Sequence, residues 1–190
     1  AIAAKFLASH TGNPTFSKET IYAYISDGGI QEEISQGGAR IASVLGLDNL
    51  IMFYDSNDIQ LSTETKDVMN EDTAAKYRAL GWEVIEINGN DVEQIRSAIE
   101  QAKAVTGRPT LIIGKCIMGK GALKADGSSY EANCKTHGAP LGGDAFVNTV
   151  KHLGGNPEQP LAIFDDVKEL YASRAKELAS ICAERYAEEK

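Results

Sequence analysis

The sequence predicts a doubly wound α/β fold, with a mainly parallel sheet, helices on both faces and a helical extension at the C-terminus. Three observations carry this. Short, near-continuous apolar runs recur along the chain, stretches with helical spacing separate them, and glycines or capping residues mark the joints. Strands covered on both faces lose the in–out alternation of half-exposed strands, so alternating apolar runs and helices imply a buried parallel sheet. With 190 residues, 43% of them apolar, the chain is long enough for a substantial core.

The elements follow in order. Residues 1–9, AIAAKFLAS, read as the tail of an amphipathic helix with Ile2, Phe6 and Leu7 on one face. They have neither an N-cap nor an initiator Met, so part of the protein is expected upstream. TIYAYIS (20–26) is the first strand. Ile30, Ile34, Ile41 and Leu45 recur at helical spacing over 30–45, with Gly37 and Gly38 placed for close approach to another backbone. NLIMFYD (49–55) is the second strand, followed by a loop to Met69. Asn70 is expected to cap a helix over 71–80 that Gly81 closes. WEVIEI (82–87) is the third strand. Asn90 is the expected cap of a helix over 91–106, with Val92, Ile95, Ile99 and Ala102 inward and Gly107 ending it. PTLIIGK (109–115) is the fourth strand.

Residues 116–142 have no period and are rich in glycine, and a loop this long is usually functional or disordered. A helix over 143–153, a break at GGNPEQP (154–160) and a charged helix over 165–190 complete the chain. That last helix carries an apolar stripe of Val167, Leu170, Tyr171, Leu178 and Ile181. The organisation therefore reads as a domain over 1–153 and a helical connector over 154–190.

Composition narrows the function. With 27 acidic and 19 basic residues the net charge is −8, which disfavours a general nucleic-acid surface. Three cysteines (Cys116, Cys134 and Cys182) lack CxxC spacing, so they read as packing or loop residues of a protein in a reducing cytosol. No apolar run approaches 18 residues and no signal peptide is evident, so no membrane span is expected. His10 and His152 read as surface residues. GKCIMGKG (114–121) has P-loop spacing, but Gly121 stands where that loop needs Ser or Thr, and the following ALKADG is a poor helix.

The informative stretch is SDGGIQEEIS (26–35). Asp27 stands where a buried strand ends and a helix begins, and ligands of open parallel sheets bind beyond such ends. Gly28 and Gly29 allow close approach of the backbone, and their N–H groups suit an anion. A carboxylate beside a phosphate is repulsive unless a divalent cation bridges them. Asn57, thirty positions after Asp27, falls at the end of the next strand and is the natural second ligand. An Asp carboxylate, an Asn carbonyl, a backbone carbonyl, two diphosphate oxygens and a water would meet the octahedral demand of Mg²⁺. Alternatively, Asp27 and Asn57 are ordinary turn residues after strands.

SDGGIQEEIS followed by NLIMFYDSNDIQLS resembles the thiamine-diphosphate signature, and more narrowly the transketolase family. AAKYRALGWEVIEINGND (74–91), RPTLIIGKCIMGKG (108–121) and THGAPLG (136–142) resemble transketolase segments in order and spacing. The resemblance implies Mg²⁺ ligation by the side chains of Asp27 and Asn57 and the backbone carbonyl of Ile59, with Ca²⁺ or Mn²⁺ able to replace Mg²⁺. It implies diphosphate binding by the Gly28 N–H, contact of Leu61 with the thiazolium region, and a place for His137 beside diphosphate and substrate. Glu32 matches an acidic residue at a subunit interface that links two cofactor sites, and can equally favour a helix dipole. Ser26 stands where the motif usually has glycine, which requires a negative φ there.

The implied enzyme moves a two-carbon ketol unit between sugar phosphates in the pentose phosphate pathway, as a cytoplasmic homodimer. Its pyrimidine-binding domain, with the glutamate that protonates the cofactor ring, lies outside this sequence. Deoxyxylulose-phosphate synthases and 2-oxo-acid dehydrogenase components share the metal motif but not the GWEVIEINGND and THGAPLG blocks. A non-catalytic fragment that binds partners is the remaining alternative.

Overall fold

The structure is a computed structural model that describes residues 1–13, 16 and 19–188. Four parallel strands, β1 (Ile21–Ser26), β2 (Leu50–Ser56), β3 (Glu83–Asn88) and β4 (Thr110–Lys115), form one sheet in the order β1-β2-β4-β3. Each strand lies within one residue of its predicted span. The helices are α1 (Ile2–Thr11), α2 (Asp27–Gln31), α3 (Glu33–Val44), α4 (Thr73–Ala79), α5 (Val92–Ala104), α6 (Gly143–His152) and α7 (Asp165–Glu188).

Strand order, which the sequence leaves open, explains the layering. The chain steps from β1 to β2 and from β2 past β4 to β3 in one direction, then turns back to β4. Right-handed crossovers put the helices of opposite steps on opposite faces. One face buries Ala39 and Ala42 of α3, Tyr77 of α4 and the adjoining Trp82 against Tyr54 and Leu111. The other buries Ala98 and Ala102 of α5 against Ile51 and Ile112. The indole of Trp82 meets Tyr77 edge-on at 5.3 Å, and its Nε1–H donates to the Ala39 carbonyl at 2.9 Å, tying the entry of β3 to α3.

The structure corrects several local expectations. Asp72, not Asn70, caps α4 by accepting the Ala75 N–H at 2.8 Å. Asp91, not Asn90, caps α5 by accepting from Glu93 and Gln94. In both places a carboxylate nearer the first turn outcompetes the amide. The helix expected over 30–45 is two helices, broken at Glu32, whose ψ of 137° is extended. Its core-facing residues are Ile30, Ala39 and Ala42, while Ile34, Ile41 and Leu45 are exposed. A Cβ on Gly37 or Gly38 would meet nothing within 4 Å, so no backbone of the described residues packs there. Ile2, Phe6 and Leu7 of α1 are also exposed, and Ala4 is the buried residue; Val92 of α5 points outward too.

The 116–142 segment is tied down by hydrogen bonds from Gly121 N to Glu131 and from Leu123 N to Thr149 Oγ1. Residues 116–122 form turns rather than a helix, so the P-loop spacing has no P-loop structure. Of the expected stripe on α7, Val167 and Ile181 are half-buried, and Leu170, Tyr171 and Leu178 are exposed. The expected helix end at 190 lies outside the described residues. Among these, no helix is long and apolar enough to cross a membrane.

One buried group in this core is frustrated. The Tyr77 hydroxyl is fully buried with no hydrogen-bond partner among the described residues, and burial pushes its pKa up to about 12. A desolvated, unpaired hydroxyl costs about 1–3 kcal/mol. Tyr77→Phe is therefore expected to raise the unfolding free energy by about 1 kcal/mol, read from denaturant melts; a loss of stability would show the hydroxyl to be satisfied.

Candidate functional site

Register brings the site together. Parallel pairing sets Ile25 opposite Tyr54 and Ser26 opposite Asp55, so β1 and β2 end side by side. Asp27 opens α2 just beyond β1, and Asn57 follows β2. Ser26 has φ −111°, so the junction needs no glycine there. Gly29 is sterically required, because a Cβ would lie 2.9 Å from Ile25 Cγ1. Gly28 differs: a Cβ there would meet nothing within 4 Å, so its backbone faces open space.

Asp27 is the centre. Its side chain is 1% exposed. Tyr54 Oη donates to Oδ1 at 2.6 Å, and the Asn57 backbone N–H donates to Oδ2 at 3.0 Å. No Lys, Arg or His among the described residues pairs with it: Lys115 is engaged by Asp58 at 2.5 Å. Burial holds the Asp27 carboxyl above the usual carboxylate range, against the lowering effect of its two hydrogen bonds, with Asp58 and Asp55 adding to the rise. Tyr54 is itself buried, and burial together with the Asp27 carboxylate pushes its phenol well above its ordinary value.

Asn57 is held from both ends. Its Nδ2 donates to Asp55 Oδ1 at 3.1 Å, and its Oδ1 accepts from the Ile59 N–H at 3.0 Å. Asp58 adopts a left-handed φ of 66°, unusual for a residue with a Cβ, and lets the chain turn back so that Ile59 pairs with Glu64. A cleft of about 300 Å³ opens here, lined by Ser26, Gly28, Asn57, Ile59, Leu61 and His137 among others. The short helical turn at Cys134–Thr136 delivers His137, whose Nδ1 is buried with no hydrogen-bond partner among the described residues.

The structure thus gathers Gly28, Asn57, Ile59, Leu61 and His137 at one cleft, and Asp27, which does not line it, is buried behind Asn57 and accepts its N–H. Glu32 is not among them; it is exposed at the break between α2 and α3. Sequence reasoning missed Tyr54, Asp55 and Tyr24, although all three stand within the quoted strands. Gln31 was also missed; its Nε2 donates to the Asp27 carbonyl and to Gln60 Oε1. An acid or hydroxyl in the last turn of an otherwise apolar strand was the available signal.

Among the described residues no three acidic, histidine or cysteine side chains converge as a metal cage. The residues nevertheless fit a hard divalent cation. Among the described residues the buried Asp27 carboxylate lacks a cationic partner, Asn57 is joined to it through its backbone N–H, and Mg²⁺ takes only one or two protein carboxylates when phosphate oxygens complete its shell. The unfilled space before Gly28 and the unpartnered His137 nitrogen suit an anionic ligand in the same cleft.

Fold and cleft together define an α/β domain with an open cleft at the carboxyl ends of two adjacent parallel strands. Comparison with known proteins gives the family. The profile of the transketolase thiamine diphosphate binding domain matches residues 1–189, and the chain belongs to that family. A probable transketolase of Streptococcus pneumoniae is 38% identical over 180 residues, which cover 92% of this chain and 26% of that protein. A transketolase of Mycobacterium leprae is 41% identical over 148 residues, 77% of this chain and 20% of that one. The solved transketolase of Leishmania mexicana superposes with a TM-score of 0.87 at 31% identity, over 99% of this chain and 27% of that one. The chain spans about a quarter of the length of such relatives.

The raised Asp27 pKa has a consequence for stability. A carboxyl whose folded pKa lies above its unfolded value stabilises the fold fully at low pH and loses that contribution as pH rises through the folded pKa. Without a cation, Asp27→Asn is expected to raise the unfolding midpoint at pH 7. The Asn oxygen still accepts the Asn57 N–H and its amide can donate to Tyr54. The gain should shrink as pH falls toward the ordinary carboxylate range. A variant less stable than wild type at pH 7 would show the charge to be compensated.

Proposed function

We propose that this chain is the cation- and diphosphate-binding part of a transketolase, which moves a two-carbon ketol unit between sugar phosphates. The supporting observation is the buried Asp27 carboxylate, bonded to the Asn57 N–H and without a cationic partner among the described residues, behind a cleft lined by Gly28 and Asn57. In this reading Asp27, Asn57 and the Ile59 carbonyl hold Mg²⁺, or Ca²⁺ or Mn²⁺ in its place. The cation lets a carboxylate and a diphosphate share one site. The Gly28 N–H would bind the diphosphate, Leu61 would contact the thiazolium region, and His137 would offer the nitrogen that has no partner among the described residues near the reacting centre. Bound thiamine diphosphate supplies a carbanion sink. The protein's share is to bind, orient and keep the charges balanced.

Related transketolase structures from Pichia stipitis are described as complexes with xylulose 5-phosphate and with sedoheptulose 7-phosphate, which supports sugar phosphates as substrates. Residues 1–153 are read as part of the binding domain and 154–190 as the connector. The whole protein is read as a cytoplasmic homodimer with its pyrimidine-binding domain elsewhere, and Glu32, outside the cleft, as a residue of the subunit boundary. The family match makes transketolase the preferred reading over other thiamine-diphosphate enzymes that share the metal motif.

Assaying the intact protein for ketol transfer and for pyruvate decarboxylation separates these readings. Ketol transfer that requires Mg²⁺ and thiamine diphosphate is expected. Asn57→Ala should weaken cation binding by more than the roughly 10- to 100-fold typical of outer-shell changes. Decarboxylation without ketol transfer would contradict the proposal. The 190-residue chain by itself should show weak or no cofactor binding in calorimetry and no turnover; efficient turnover by it would contradict the division of labour.

A further inference from the structure

An asparagine is an ambiguous cation ligand. Rotation about its last torsion exchanges an oxygen that binds a cation for an NH₂ group that repels one. Something must therefore hold the oxygen in place. At Asn57 the holder is visible: Nδ2 donates to Asp55 Oδ1 at 3.1 Å while Oδ1 accepts from Ile59 N–H at 3.0 Å. Flipping the amide would set its oxygen against the Asp55 carboxylate and its NH₂ against the Ile59 N–H. Both hydrogen bonds would be lost and two like-polarity contacts made. A carboxylate oxygen accepts and does not donate, so the contact tolerates one orientation of the amide only.

We infer that Asp55 is a positioning residue, which fixes the Asn57 amide with its oxygen available to the cation. This deepens the reading of Asn57 as a cation ligand and rests on it. Asp55 is anchored in turn. Tyr24 Oη donates to its Oδ2 at 2.6 Å, and the Tyr24 ring stacks on Phe53 with centroids 6.0 Å apart and planes 5° from parallel. Cys116 lies on the same carboxylate; burial, with a hydrogen bond to Asp55 adding to it, pushes its thiol up to about 11. Strand alternation supplies the rest. Tyr54 and Asp55 are consecutive on β2 and point to opposite faces. Tyr54 therefore clamps Asp27 and Asp55 clamps Asn57, one partner for each expected side-chain ligand.

The test is calorimetric titration of the intact protein with Mg²⁺ in the presence of thiamine diphosphate, for wild type, Asp55→Asn, Tyr24→Phe and Asn57→Ala. Asparagine at 55 offers both a donor and an acceptor, so of the two groups that select the Asn57 rotamer only the Ile59 N–H remains. Asp55→Asn is expected to weaken Mg²⁺ binding about 10- to 100-fold, with ketol transfer recovered by excess Mg²⁺. Tyr24→Phe should shift affinity in the same direction by less.

The loss in Asp55→Asn should persist near 1 M salt, where charges act over only about 3 Å. Wild-type affinity in Asp55→Asn alongside weak binding by Asn57→Ala would overturn the positioning role and leave the cation reading standing. A loss that vanishes in high salt would reduce Asp55 to a distant charge and overturn the role as well. So would activity that excess Mg²⁺ does not recover. Unchanged affinity in Asn57→Ala would instead overturn the cation reading itself. Thermal melts of each variant confirm that the folded protein is being titrated.

Discussion

A carboxylate buried without a counter-ion among the described residues is the constraint on which this structure turns. Asp27 is removed from water, held by one hydroxyl and one backbone N–H, with Asp55 and Asp58 nearby and no lysine or arginine paired with it among the described residues. Left alone, such a group destabilises the fold at neutral pH, because burial disfavours its charged form. Its retention makes sense when a cation joins it, and the neighbouring groups are hard oxygens suited to that cation. The local architecture follows from the same need. Gly29 allows the tight strand-to-helix turn, Gly28 leaves space in front, and β1–β2 register brings Asn57 alongside.

Much of the fold was legible in the sequence, because buried parallel strands are continuous apolar runs with sharp ends. All four strands lie within one residue of expectation. Caps were less legible: at both α4 and α5 an Asn and an Asp competed near the boundary, and the carboxylate won. Helix faces were misread where it mattered. An apolar stripe shows that a helix is amphipathic but not which surface it meets, so Val92 of α5 was assigned inward and stands exposed, and Ile34 and Ile41, whose spacing marked α3, are exposed too. The small residues Ala39 and Ala42, which carry little hydrophobic signal, do the packing instead.

The site divides in the same way. Asp27 and Asn57 were found because a polar residue ending an apolar strand breaks a pattern, and their spacing matches one crossover unit. Tyr54 and Asp55 were overlooked because tyrosine passes for an ordinary strand residue and the acid for a turn residue. Only the register shows that they hold the two expected ligands from opposite faces of the sheet. The exposed Leu61 and the largely uncovered α7 show surfaces that this chain does not itself bury. They fit a sequence that spans about a quarter of its relatives.

Anomalous diffraction from crystals of the intact protein grown with Mn²⁺ and thiamine diphosphate tests the central claim most directly. One strong peak is expected at about 2.1 Å from an Asp27 carboxylate oxygen, Asn57 Oδ1 and the Ile59 carbonyl, near the coordination distance of a small hard divalent ion. A peak bound elsewhere, with Asp27 still contacting only Tyr54 and the Asn57 N–H, would contradict it.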